Sequence, residues 1–358
     1  MSFLPVPILN QFKQEFNFRD STIAIIDTNC KRVFREALNL STYDPVQITN
    51  KESITSYLYS IENVGVRRTI TSNIMNIIKI VDPSQVHHYQ QLFDIFAKEH
   101  DLEYKGRMLD VDKFISLETL FQKYNQLPTN NFRAARDKVI AGFYCGIIPS
   151  LRGEDYYKTK WGHLPKDTDY KHFFEANGCN FLDLTNMVLI IGEYKTSNSH
   201  NLRLIAIPEI LHETLNRWRQ FNNSSSLLLD NKARPFLNSC QFTRKCSSFT
   251  GNGATVNTLR QIYISEITDY IDNLSQLSRK DKIGLQNELA HIMAHSYTSQ
   301  QQIYAGYRDN SLIERSSSEF LHKSLNWLLE TNSTVKYMQS LINCPRESLV
   351  SVETPKNE

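Results

Sequence analysis

Apolar residues recur at helical spacing through most of this 358-residue chain, and the pattern gives way to a strand pair in one place. SITSYLYSIEN, TITSNIMNIIKIV and SQVHHYQQLFDIFAKEH in the first third each present an apolar face at a period near 3.6. RAARDKVIAGFYCG, the amphipathic PEILHETLNRWRQF, KIGLQNELAHIMAH and EFLHKSLNWLLETN read as helices later on, and TLRQIYISEITDYI as a helix with a mixed face. NMVLIIGEYKTSNSHNLRLIAIP differs: two β-rich runs flank the turn-forming Ser197-Asn198-Ser199-His200-Asn201, which reads as a β-hairpin. The expected fold is mainly α with a small β-sheet. The low glycine count, 12, agrees and disfavours a Gly-rich nucleotide-binding fold.

The length suggests two domains. Residues 1–22, with Pro5 and Pro7, read as an irregular lead-in, and 23–128 as a helical domain broken at Asp82-Pro83-Ser84. Pro128-Thr129-Asn130-Asn131 forms a polar joint, so the boundary is placed there and a second, α+β domain spans 129–345. Within it Pro208 is expected at the first helical position, residues 222–256 are loop-rich, and Thr298 or Ser299 caps a short helix. Residues 346–358 are expected to form a flexible tail.

The formal net charge is +2 and the pI about 8.1, which neither demands nor excludes nucleic acid. Six cysteines contain no CxxC pair, and Cys240 with Cys246 is a poor zinc spacing, so buried reduced thiols are expected. His87-His88 has no third ligand in view and reads as a surface pair; no metal or cofactor is expected. The N-terminus lacks a signal-peptide profile and no apolar run approaches the ~18 residues of a membrane span, so a soluble, intracellular protein is expected.

Four separated stretches carry chemistry. Pro149-Ser150-Leu151-Arg152-Gly153-Glu154-Asp155 opens a helix, and Glu193-Tyr194-Lys195-Thr196 sits near the hairpin tip. Asn257-Thr258-Leu259-Arg260 starts another helix, and Met293-Ala294-His295 precedes Tyr304 by nine residues. A phosphodiester undergoing substitution gathers negative charge on its non-bridging oxygens. Two guanidiniums, Arg152 and Arg260, suit that charge because they are planar, bidentate and always protonated. A side-chain hydroxyl as nucleophile keeps the bond energy in a covalent intermediate. A lysine on a hairpin suits the role of general acid for the leaving oxygen. Taken singly each of these is more often a solvated charge, a helix cap or a half-buried aromatic; their joint order carries the reading.

That order, Arg, Lys, Asn-x-x-Arg, His, Tyr, resembles the tyrosine recombinase/integrase family, over roughly residues 130–345, and the flavour of LRGEDYY, EYKTS and TLRQIYIS looks closest to integrases of large DNA viruses and related mobile elements. The resemblance implies a helical core-binding domain that clamps DNA opposite a catalytic domain. It assigns Arg152, Lys195, Arg260, His295 and Tyr304 to catalysis, with Asp155 orienting the arginines, a 3′-phosphotyrosyl intermediate, double-stranded DNA as partner and no cofactor. It further implies DNA recombination or integration by four copies, and a viral protein would act in the host cytoplasm or nucleus. Two positions depart from the pattern. Asn257 replaces the usual His and cannot shuttle a proton, and Ala294 replaces a Gly. Tyr297 and Tyr307 compete with Tyr304 but lie two and twelve residues after His295. Arg67, Arg68, Lys79, Lys98 and Lys105 are candidate phosphate contacts. The last helix, with Phe320, Leu321, Leu325, Trp327, Leu328 and Leu329, either packs on its own domain or docks on a neighbouring copy. Two alternatives stay open: a type IB-like topoisomerase or telomere resolvase with the same chemistry, and a DNA-binding module whose catalysis has decayed.

Overall fold

The computed structural model describes residues 2–106, 111–193, 202–293, 296–308 and 311–330. The chain divides into two compact units, Met1–Arg107 and Met108–Glu358. The first is helical: α1 (Val6–Gln14), α2 (Asp20–Glu36), α3 (Lys51–Ser60), α4 (Val64–Val81) and α5 (Val86–Gly106). Asn50 and Asn63 cap α3 and α4 by accepting the backbone N–H of Ser53 and Val66. Asp82 accepts from Ser84 where α4 ends, at the break the sequence marks. The core joins Phe12, Ile26, Phe34, Leu58, Ile74, Ile78, Tyr89 and Phe96. The lead-in is not irregular. Its prolines fall at the N-cap (Pro5) and in the first turn of α1, where no helical N–H partner is lost, and Phe12 anchors that helix in the core. Asp27 on α2 accepts the backbone N–H groups of Phe3 and Leu4, fixing the first residues.

The second unit runs α6 (Leu117–Gln126), α7 (Phe132–Gly142), α8 (Gly153–Tyr157), β1 (Lys160–Gly162), α9 (Tyr170–Asn177), β2 (Phe181–Asp183), β3 (Val188–Ile191) and β4 (Arg203–Ala206). It continues through α10 (Glu209–Arg219), α11 (Ser239–Thr250), α12 (Val256–Asn273), α13 (Arg279–Ile292), α14 (Tyr297–Arg308) and α15 (Ser318–Glu330). The sheet order is β1-β2-β3-β4, with β1 parallel to β2 and the others antiparallel. The expected hairpin is β3–β4, closed with Ile191 opposite Arg203. The whole is mainly α with a small β-sheet, a helical unit followed by an α+β one.

The division between units falls some twenty residues before the Pro128 joint. The reason is α6, whose first N–H, Leu117, donates to the buried carboxylate of Glu266 on α12, while Tyr124 near its end bonds Thr214 on α10. Helix α12 is buried nearly all round, from Val256 to Ile271, and α6, α11, α13, α14 and α15 pack against it. The segment 222–256 is less loop-like than its composition suggested. SCQFTRKCSSFT forms α11 despite its weak helix formers, because Asn238 caps it, Phe242 and Cys246 bury its inner face, and Gly251 ends it at φ 79°. Pro208 is the N-cap of α10 rather than its first residue, and Ser296, not Thr298 or Ser299, caps α14 by accepting the Ser299 N–H. Helix α15 turns Phe320, Leu321, Leu325, Leu328 and Leu329 inward on its own unit, and Ser324 donates to the Gly146 carbonyl. The tail at 346–358 lies outside the described residues. Among the described residues no helix is long and apolar enough to cross a membrane.

Candidate active site

The site is built where the start of α8, the start of α12, the end of α13 and the edge of β4 meet. Arg152 is the N-cap of α8, and its backbone N–H donates to the Asp155 carboxylate three residues on, at 3.2 Å. The approach is rigid: Tyr156 and Tyr144 donate to the carbonyls of Pro149 and Leu151. Gly153 is required by packing, since a Cβ there would meet the Phe242 ring at 2.9 Å. Arg260 rises from the second turn of α12 and is 6% exposed. Its Nε donates to the Ser150 carbonyl at 3.2 Å and its Nη2 to the Met293 carbonyl at 3.0 Å. The structure therefore brings Arg152, Asp155 and Arg260 together.

Sequence reasoning missed a third guanidinium. Arg203, 3% exposed, opens β4; it donates to the Ile292 carbonyl, and its Nη2 lies 3.9 Å from Asp155. A signal was present in the strand's alternation: Arg203 is in phase with buried Ile205, while Leu204 between them faces outward. A cation on the inward face of a strand must find an anion or carbonyls.

Three guanidiniums thus surround one carboxylate. Burial pushes the Asp155 carboxyl up, against the pull of Arg203, Arg152 and Arg260. Burial and the like charge of Arg152 bring Arg260 down to about 10, so it stays charged at neutral pH. Among the described residues the cluster has three cations for one anion, with Arg203, Arg260 and Asp155 buried and Arg152 half-buried. One donor, Nη1 of Arg152, is buried with no hydrogen-bond partner among the described residues. Such a group is costly unless a ligand completes it, and the complementary ligand is an anion with several oxygens. Asn257 is exposed one turn before Arg260 on the same side of α12. Lys195 and His295 lie outside the described residues; the first falls between β3 and β4, the second just after Met293.

Tyr304 is not part of this gathering. It lies on α14, 4% exposed, and its hydroxyl donates to Asp269 at 3.2 Å. Asp269 follows Arg260 by nine residues on α12, which is roughly 14 Å of helix axis and nearly the opposite face. Asp269 also pairs with Arg315 at 3.2 Å, and the Arg308 guanidinium stands over the Tyr304 ring. Burial, then Asp269 and Asp272, drive the phenol well above its ordinary range. The expected convergence of Tyr304 with both arginines is not found in this arrangement, because the phenol has an anionic partner of its own. Tyr297 donates to Gln286, and Tyr307 packs against Phe114 under Arg315, so neither replaces it at the clamp.

In the first unit, Arg67 is spent internally. It donates to Glu99 at 3.0 Å and to the Ile61 carbonyl, and stacks over Phe96. Arg68 bonds His100. These partners, rather than solvent, explain their place on α4. Lys79 and Lys98 are exposed, and the side chain of Lys105 lies outside the described residues. His87 and His88 turn to separate partners, Gln91 and Thr55.

No family model matches the chain, and no curated protein matches it. Among solved structures the chain is similar to XerA recombinase, with TM-score 0.37 and 11% identity over 85% of this chain and 96% of that one. It is similar to lambda integrase (residues 75–356) as a dimer bound to a COC′ core site, with TM-score 0.47 and 10% identity over 82% and 96%. It is also similar to the integrase from mycobacterium phage Brujita, with TM-score 0.31 and 12% identity over 88% and 97%. What the chain is similar to, over most of its length and at 10–12% identity, is a set of recombinases and integrases.

Proposed function

We propose that this chain is a DNA strand-exchange enzyme of the tyrosine recombinase/integrase class. The observation that carries the reading is the meeting of half-buried Arg152 and buried Arg260 at Asp155, with an Arg152 donor left for an anion. In the proposed reaction a scissile phosphate occupies that place. The Tyr304 oxygen attacks phosphorus, forming a 3′-phosphotyrosyl bond and losing its phenolic proton. The bond to the 5′-oxygen breaks, and Lys195 gives that oxygen a proton, leaving a 5′-hydroxyl. A 5′-hydroxyl of another strand then reverses the step and frees the tyrosine. His295 donates to the phosphate, and Arg152 and Arg260 hold the charge that builds on its oxygens. Two duplexes held by four copies would exchange strands in this way. With α15 seated on its own unit, exchange between copies would use the chain after Glu330 or require α15 to leave its seat.

The position of Tyr304 favours a second reading, a DNA-binding module without catalysis, because a phenol bonded to Asp269 cannot attack a phosphate at Arg260. The strand-exchange reading requires α14 to leave Asp269, or a second copy to supply its tyrosine. Nicked duplexes of randomised sequence, incubated with the protein and recovered as denaturant-resistant adducts, separate the two. Adduct from the parent chain and none from Tyr304→Phe supports the enzyme, and sequencing the attached ends gives the target. No adduct from the parent chain supports the module. A supercoiled plasmid relaxed without exchange would move the assignment to a topoisomerase.

A further inference from the structure

Arg203 is committed to no role by the chemistry above, yet it touches three of its parts. It begins β4, the strand that leaves the segment carrying Lys195. Its guanidinium faces Asp155, which in turn accepts the backbone N–H of Arg152. It also donates to the Ile292 carbonyl, and Arg260 donates to the next carbonyl, Met293. Consecutive carbonyls at the end of α13 are therefore gripped by two guanidiniums from different elements, two residues before His295.

That arrangement does more than close a helix. One donor would leave the chain free to swivel about the held carbonyl, whereas two on adjacent peptides fix the orientation of the end of α13. A hydrophobic residue would fill the space beside β4 at lower desolvation cost than a guanidinium. Only a forked cation reaches a carboxylate and a carbonyl at once.

We infer that Arg203 is a positioning residue: it ties β4, the Arg152–Asp155 helix start and the end of α13 into one geometry around the phosphate. This deepens the strand-exchange reading and rests on it. The Arg203 guanidinium is turned to Asp155 and the Ile292 carbonyl, so its loss should spare binding and damage the chemical step.

The test uses full-length protein carrying Arg203→Lys, which keeps the charge but not the fork, and Arg203→Met, which removes both. Each is assayed for melting temperature, for affinity to the duplex pool, and for single-turnover adduct formation. With Arg203 positioning the site, both variants lose about 100-fold in adduct rate, the scale of a misplacement of about 1 Å. Their affinity stays within about threefold, because phosphate contacts are untouched. Asp155→Asn combined with Arg203→Met should lose no more than the worse single variant, since both act through one ion pair. Parent-like adduct rates in both variants overturn the inference while leaving the strand-exchange reading in place. So does a loss that follows the unfolded fraction and disappears on cooling, or a strictly additive double variant. A parent chain that forms no adduct removes the reading itself, and Arg203's role with it.

Discussion

Tyr304 and Asp269 offer the sharpest way to find out whether the phenol is a nucleophile held in reserve. If it is, breaking its bond to Asp269 is part of the barrier, and Asp269→Ala removes that part. A hydrogen bond to an ionised acceptor contributes about 1.5–3 kcal/mol net. At ~1.4 kcal/mol per decade, that predicts a rise of roughly 10- to 100-fold in single-turnover adduct formation. Asp269 also holds Arg315, so Arg315→Gln is the necessary control: it breaks the ion pair but leaves the phenol bonded, and should leave the rate near that of the parent. The assay is denaturant-resistant adduct on a nicked duplex, with melting curves to confirm that each variant is folded. A folded Asp269→Ala protein that forms adduct more slowly would refute the reasoning. Its carboxylate would then belong to the reactive arrangement, as an acceptor for the phenolic proton, and not to a resting one.

Other outcomes follow from the same geometry. Arg152→Ala and Arg260→Ala should each lose at least ~100-fold in adduct rate, the scale for removing one preorganised donor from developing charge; near-parent rates in either would contradict the clamp. Gly153→Ala forces a Cβ to 2.9 Å from the Phe242 ring, which is closed in by Tyr157 and Phe236, and should cost about 1–3 kcal/mol in urea unfolding; an unchanged midpoint would show that the ring can yield. Glu266 is held up at about 7 against an ordinary 4.5, chiefly by burial. The folded state therefore keeps its proton longer than the unfolded state does. Stability is greatest below pH 4.5 from this group, falls as pH rises to 7, and is level beyond, a loss of about 3 kcal/mol over 2.5 pH units. Glu266→Gln should flatten that slope in unfolding measurements at pH 5 and 8, and parallel curves for parent and variant would count against the assignment.

The fold was legible where local signals agree. The apolar periodicity of α4 and α10 and the two β-rich runs of β3 and β4 each say the same thing as the finished structure. It was illegible where tertiary contacts overrule composition. α11 is rich in Ser, Thr and Cys and becomes a helix because Phe242 has a slot against Gly153. β1 and β2 are three residues long, too short to show a period of two, and exist by pairing with each other and with β3. Pro128 looked like a boundary because polar joints often are one. The true division depends on long-range bonds that no local window contains, the N-terminus of α6 resting on Glu266 149 residues later and Tyr124 bonding Thr214.

The site was legible to the extent that chemistry dictates residue type, and no further. Phosphate calls for guanidiniums, so Arg152 and Arg260 stand out, whereas Asp155 came only with the family resemblance. Arg203 hid because a strand arginine is ordinarily read as solvent-facing; only the phase of its neighbours, exposed Leu204 and buried Ile205, betrays it. Tyr304 exposes a different limit. Order and spacing can name the residue that a reaction needs, but they carry no information on which of two partners it occupies at rest. Asp269 and Arg260 sit on the same helix at nearly opposite faces, and the phenol is found with the first. If Tyr304 is the nucleophile and the arginines its anion clamp, Asp269 is a competing acceptor and the sequence encodes an equilibrium. On the strand-exchange reading, the position of that equilibrium with DNA bound, rather than the identity of the residues, decides whether this chain cuts.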